Sequence, residues 1–127
     1  MEMFVEAAVV AGHEAGEFLA FTVGVREYAV SMQRVHEIRA YEIPTAIPNA
    51  PPFVKGVQNL RGTLMPIIDL RLKMGCVGAA YNNNTAVVVL DVHGRLVGAV
   101  VDAVMGVIDD AAGTPLLDID GFLNGWR

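Results

Sequence analysis

Cys76 is the only cysteine in the chain. A lone thiol excludes an internal disulfide and suits a reducing compartment. Charge is scarce, at 18% of residues, and the 14 Asp and Glu outnumber the 9 Lys and Arg. A net charge of -5 argues against nucleic-acid binding, which normally needs a basic face. No apolar run approaches the roughly 18 residues of a membrane-spanning helix. The opening MEMFVEAAVV carries Glu2 and Glu6 and neither Lys nor Arg, so no secretory leader is expected. The motifs of chemistry are missing too. There is no GxxxxGK or GxGxxG phosphate loop and no GxSxG elbow. His13, His36 and His93 lie far apart, and none stands at a metal-ligand spacing from Cys76. Asp109 with Asp110, or Asp118 with Asp120, offers too few oxygen ligands for a calcium loop. No catalytic residue, cofactor or metal is therefore expected, and the chain reads as a non-enzyme.

What is abundant is apolar side chain: 54% of residues, with a mean hydropathy of +0.44. Such a composition builds a large core and can leave an apolar patch for a partner. The length suits one domain. Residues 1–15 are expected to be a flexible lead-in and residues 16–127 the folded domain. The bases Arg34, Arg39, Lys55, Arg61, Arg71 and Lys73 cluster mid-chain. They make either a solvated face or a positive rim around a protein-binding groove.

The pattern along the chain is that of an all-β protein. FLAFTV at Phe18 to Val23 is apolar on both faces, as in a doubly buried strand, and a turn from Gly24 leads to a return strand at Tyr28 to Ser31. Met32 to Tyr41 fits a helical turn or a strand with Val35, Glu37 and Arg39 on one face; a short turn followed by a strand is favoured. Pro44, Pro48, Pro51 and Pro52 make a rigid surface connector. A helical turn is expected after Pro52, with Phe53 and Val57 on one side and Gly56 marking a close backbone approach. Asn59 to Gly62 is a polar turn. The strand that follows, Thr63 to Leu70, contains Pro66 and so suits a sheet edge or a bulge. Asp69 can cap a short helix that stops at Gly75. After a loop through Asn84, Thr85 to Asp91 and Arg95 to Asp102 form a hairpin around His93-Gly94, and Ala103 to Ile108 stays extended. A last strand at Leu116 to Ile119 and a turn capped by Asp120 end the reading. Arg61 is the first candidate for a contact residue; its plain alternative is a turn residue whose stem covers apolar surface.

NLRG at Asn59 to Gly62, followed by a strand ending in PIIDLR, resembles the signature of the CheW family. GEFLAFTVGVREYAVSMQRVHEIRAYE at Gly16 to Glu42, IPNAPPFVKGVQNLRG at Ile47 to Gly62 and YNNNTAVVVLDVHGRLVGAVVDAVMGVI at Tyr81 to Ile108 extend the likeness collinearly. The resemblance implies two small five-stranded β-barrels packed on each other. It implies a non-catalytic adaptor that joins chemoreceptors to the CheA histidine kinase, in the cytoplasm at membrane-bound receptor arrays. By position, Val35, Glu37, Ile38, Gly56, Asn59, Leu60, Arg61 and Gly62 would line or shape the receptor side; no residue is assigned to the kinase side. After Ile108 the pattern departs. Asp109 to Pro115 leads almost directly to LLDIDGFLN, as if an internal piece that helps close one barrel were missing. An unclosed barrel exposes sheet edges, so one barrel is expected to be incomplete or completed by strand exchange with a second copy. The runner-up reading is a one-sided modulator, or an oligomerising β-barrel binding module without kinase coupling.

Overall fold

The computed structural model describes residues 16–119 and 121. The lead-in expected over residues 1–15, and Asp120, lie outside the described residues. The elements run β1 (Phe18–Val23), β2 (Arg26–Ser31), β3 (Val35–Ala40), β4 (Val54–Leu60), β5 (Thr63–Asp69), a four-residue helix α1 (Leu70–Lys73), β6 (Ala86–Val92), β7 (Arg95–Val101) and β8 (Ala103–Ile108). They form a three-stranded sheet, β2-β1-β8, and a five-stranded sheet, β3-β6-β7-β5-β4. All pairings are antiparallel except β5 with β7, which run parallel and are joined by the crossover through α1 and β6.

The strand expected at Phe18 to Val23 is present, its return strand begins at Arg26 in place of Tyr28, and the hairpin expected over Thr85 to Asp102 forms as β6 and β7. Met32–Arg34 is a short 3-10 turn, with the Ser31 hydroxyl accepting from the Gln33 N–H, and β3 follows it. Three expectations need correction. The segment after Pro52 is not a helical turn: Val54–Leu60 is strand β4, because its backbone is taken up by β5 along its length. Pro66 is not at an edge, since β5 lies between β4 and β7. It is tolerated because the opposite residue, Val57, turns its N–H and C=O away toward Thr45, and because the ladder with β7 opens only at Ile67. The same Thr45–Val57 bridge ties the proline connector into the sheet at one point. The last strand, Leu116 to Ile119, shrinks to a single bridge between Leu116 and Ala29. The described residues form one five-stranded and one three-stranded sheet, an all-β arrangement of two packed units as expected.

The core explains this layering. Odd and even residues of β6 are both buried from Val87 to Leu90, so the middle of the larger sheet is covered on both faces. Val88, Leu90 and Val92 join Leu19, Phe21 and Val23 of β1 in the layer between the sheets. Val87 and Val89 face the other way, against Leu60, Met65, Ile67 and Val100. That second cluster has no third sheet to cover it, so the sheet wraps around it. Its two edge strands, β3 and β4, accordingly meet: Arg61, in the turn after β4, donates to Glu37 of β3, and Gln58 Nε2 of β4 donates to the Glu42 carbonyl just beyond β3. The outer face of the smaller sheet is closed differently, with Phe18 and Ala29 packed on Ala111.

Candidate functional site

Leu60 and Thr63 pair across a two-residue turn, Arg61-Gly62. Both turn residues have positive φ, 50° and 91°. This is the hairpin geometry that matches the natural twist of strands, but an arginine in the left-handed region is unusual and costs about 1 kcal/mol. Asn59 Oδ1 accepts the Gly62 N–H at 2.9 Å and closes the turn. Leu60 is buried beneath it, which anchors the tip to the inner cluster. The Arg61 side chain remains 65% exposed and donates to Glu37 Oε1 at 2.6 Å, with His36 Nε2 at 3.4 Å from the same nitrogen. That hydrogen bond, with the charges of Arg61 and Arg39, outweighs partial burial and holds the Glu37 carboxyl below its ordinary value.

Of the residues expected to line or shape a receptor surface, Glu37, Asn59, Arg61 and Gly62 gather around this tip, while Ile38 is exposed but, next to Glu37 along β3, points to the other face of the sheet. Val35 is half-buried against the core between the sheets. Leu60 and Gly56 are buried. Gly56 has φ 146°, and a Cβ there would stand 2.1 Å from the Thr45 carbonyl oxygen, so the close approach expected of this glycine is met by the chain's own connector.

Sequence reasoning missed two features nearby. One is a cleft of about 450 Å³ at the seam where β3 and β4 meet, walled by Arg39, Ile43, Thr45, Val57, Asn59 and Leu64. Ile43 and Leu64 are 88% and 68% exposed, an apolar lip that no periodicity predicts because Ile43 belongs to a connector. The other is Arg71, which does not belong to a positive rim. Its side chain is 1% exposed and meets Asp69 through two parallel contacts, Nε to Oδ1 at 2.9 Å and Nη2 to Oδ2 at 3.0 Å. Nη1 donates to Asp102 Oδ1 at 2.9 Å and to the Ala80 carbonyl. The Tyr81 hydroxyl donates to Asp69 Oδ2 at 2.6 Å, while its ring lies under the guanidinium and stacks on Tyr41. Burial works to raise the Asp69 carboxyl, but the bonds from Arg71 and Tyr81 win and hold it below its usual value. Burial and the neighbouring Asp69 push the Tyr81 hydroxyl up. The sequence signal was present: Asp69 and Arg71 are the charges at the end of an otherwise apolar strand.

Among the described residues no group of His, Cys, Asp or Glu is arranged to hold a metal ion, and no helix is long and apolar enough to cross a membrane. The arrangement offers recognition surfaces: a clasped, exposed guanidinium and a cleft with an apolar lip.

A family model described as CheW-like domain matches residues 17–123. The chain is 50% identical over 99 residues to the chemotaxis protein CheW of Klebsiella aerogenes, a match that covers 77% of this chain and 60% of that protein. It is 39% identical over 92 residues to the chemotaxis protein CheW of Rhizobium meliloti, covering 72% and 59%. The crystal structure of the scaffolding protein TtCheW from Thermoanaerobacter tengcongensis superposes with a TM-score of 0.72 at 29% identity, over 75% of this chain and 65% of that one. The chain thus spans about three fifths of the length of the curated relatives it matches. With the collinear strand pattern, the shared fold and these identities, the chain belongs to the family of CheW-like domains.

Proposed function

We propose that this chain is a non-catalytic adaptor that links the cytoplasmic tip of a chemoreceptor to the regulatory domain of the CheA histidine kinase, working in the cytoplasm at receptor arrays. The observation that carries the receptor half is the Arg61 turn. A guanidinium is presented at the surface from a backbone conformation that glycine or asparagine would adopt at lower cost. That cost supports a role for the Arg61 side chain in a contact outside the chain, beyond its bond to Glu37. Around it, Glu37, Asn59 and Gly62 would touch the receptor, Ile38 from the other face of the sheet, with Val35, Gly56 and Leu60 shaping the surface from beneath. The similarity to proteins named chemotaxis protein CheW supports the kinase half, for which no contact residue is assigned.

A second reading follows from β8. Its partner on one side is β1, and no strand pairs with its other edge among the described residues. Met105 and Val107 on it are 60% and 52% exposed. A chain open at this edge would bind one partner only, or complete its smaller sheet by exchanging strands with a second copy. The test is a pull-down with a receptor cytoplasmic fragment and with CheA, separately and together. A ternary complex supports the adaptor. Binding to one partner alone supports the one-sided module, and binding to neither overturns both in favour of the oligomer.

A further inference from the structure

The outer edge of β8 has no strand paired to it among the described residues. The strand reads Ala103-Val104-Met105-Gly106-Val107-Ile108, with no charge and no proline, the residues that normally guard a sheet edge. A bulge interrupts it once. Ala20 pairs with Gly106 and Phe21 with Val104, so Met105 is the extra residue, and it stands 60% exposed. Val107 is more telling. It pairs with Leu19, and residues directly opposite share a face, so Val107 is turned toward the layer between the sheets, where Leu19 is buried. Val104, opposite Phe21, packs against that layer, yet Val107 is 52% exposed. The apolar layer therefore runs on to the β8 edge and ends there uncovered.

We infer that the occupant of this edge is a second copy of this chain, its β8 laid antiparallel beside the first about a two-fold axis. The smaller sheets would join in the order β2-β1-β8, then β8-β1-β2 of the copy. A second copy fits because it brings the same open, uncharged edge, and a two-fold axis makes that surface its own complement. An axis through Val107 sets the two valines against each other. That covers the open end of the layer in both copies and puts Asp109 opposite the copy's Met105 rather than opposite an acid. The inference deepens the second reading above, on whose open β8 edge it rests, and replaces exchange of strands by apposition. Exchange requires β8 or the segment after it to leave its own fold. β8 is paired to β1 from Ala103 to Ile108. Asp102 before it is held by the Thr22 carbonyl, Arg71 and the Gly24 N–H, and Pro115 and Leu117 are bonded to Ala29. Apposition breaks none of these.

The test is light scattering of the full chain from micromolar to millimolar concentration, beside Met105→Lys, Val107→Lys and, as a control, Val25→Lys in the exposed first hairpin turn. The parent and Val25→Lys are expected to be dimers. Met105→Lys and Val107→Lys should raise the dissociation constant by about tenfold or more, Val107→Lys the most, because the axis sets its two charges face to face. The melting temperature of the parent should rise with protein concentration, and that of Val107→Lys should not. In a Cys76→Ser background, Val107→Cys should form an inter-chain disulfide on mild oxidation, since opposed residues of an antiparallel pair stand ~4.5–5.5 Å apart at Cα, within the span of a disulfide. Labelled and unlabelled dimers should mix within minutes well below the melting temperature. A parent that stays monomeric overturns the pairing and the open-edge reading beneath it. A dimer that both lysine substitutions leave intact has its contact elsewhere and overturns the pairing. Failure of the disulfide in a dimeric protein overturns the axis at Val107. A dimer that mixes only after unfolding is exchanged rather than apposed, which overturns the pairing and leaves the open-edge reading standing.

Discussion

At Arg61 a local cost and a surface contact are set against each other, and the two can be separated by mutation. Arg61→Gly retains the left-handed turn without the Cβ penalty, so stability by chemical denaturation should be unchanged or rise by up to ~1 kcal/mol. The clasp to Glu37 is exposed and is worth little to the fold. Arg61→Glu should also fold, yet it should weaken receptor binding by ~1–4 kcal/mol in a titration with a receptor fragment. Receptor binding equal to the parent in Arg61→Glu would remove this residue from the proposed surface. Gly56 gives the opposite case. Gly56→Ala would drive a methyl group into the Thr45 carbonyl at a φ that side chains rarely adopt, and should cost ~1–3 kcal/mol, read as a lowered denaturation midpoint. At this scale the sequence was informative about residue type and less so about surroundings. A glycine inside an apolar run announced a close approach, but the approaching group lies in a connector without a pattern. Arg71 and Arg61 look alike in the sequence, and only packing buries one and exposes the other.

The elements divide between those built by local signals and those decided by pairing. The three hairpin turns and the Asp69 cap of α1 are written in adjacent residues and were legible, although the first turn is tighter than expected, Gly24-Val25 only, with Arg26 already paired to Val23. Strand β4 was not, because its proline approach and the Phe53–Val57 spacing fit a helical turn, and the partner β5 that makes it a strand is met only in the fold. Helix α1 is too short to hold itself and depends on the buried Arg71–Asp69 pair at its start. Arg71→Met would strand the buried Asp69 carboxylate and should cost ~3–5 kcal/mol in denaturation. The same cluster sets a pH window. Asp69 has a depressed folded value, so its contribution is present above the ordinary carboxylate value of about 3.9 and is lost as pH falls below it. Tyr81 has a raised folded value, so its contribution is present below about pH 10 and is lost as pH rises beyond it. Melting followed across pH should decline on both sides, and Tyr81→Phe should flatten the alkaline side.

On the scale of the whole molecule the two sheets are unequal, with five and three strands among the described residues. The larger sheet meets itself at the β3–β4 seam. Among the described residues the smaller sheet has three strands, with Pro115 to Leu117 covering the β2 edge at Ala29 and no strand on the outer edge of β8. Light scattering at micromolar concentration should show a dimer if strand exchange completes the smaller sheet; a clean monomer would rule that out. How the larger sheet closes could not be read from the sequence, because it depends on side chains that meet across the ends of the strand order. The passage between the sheets has a mechanical consequence. The chain leaves the larger sheet at Val101 and enters the smaller at Ala103, so one residue, Asp102, is the whole of that link. Its N–H is held by the Thr22 carbonyl, and its carboxylate by Arg71 on one side and the Gly24 N–H on the other. A joint gripped on three sides transmits torque where a free one would absorb it. A twist applied at the Arg61 hairpin should therefore meet little give at this joint, whereas in Asp102→Ala, which removes both carboxylate grips, the two sheets should hinge more freely at this link.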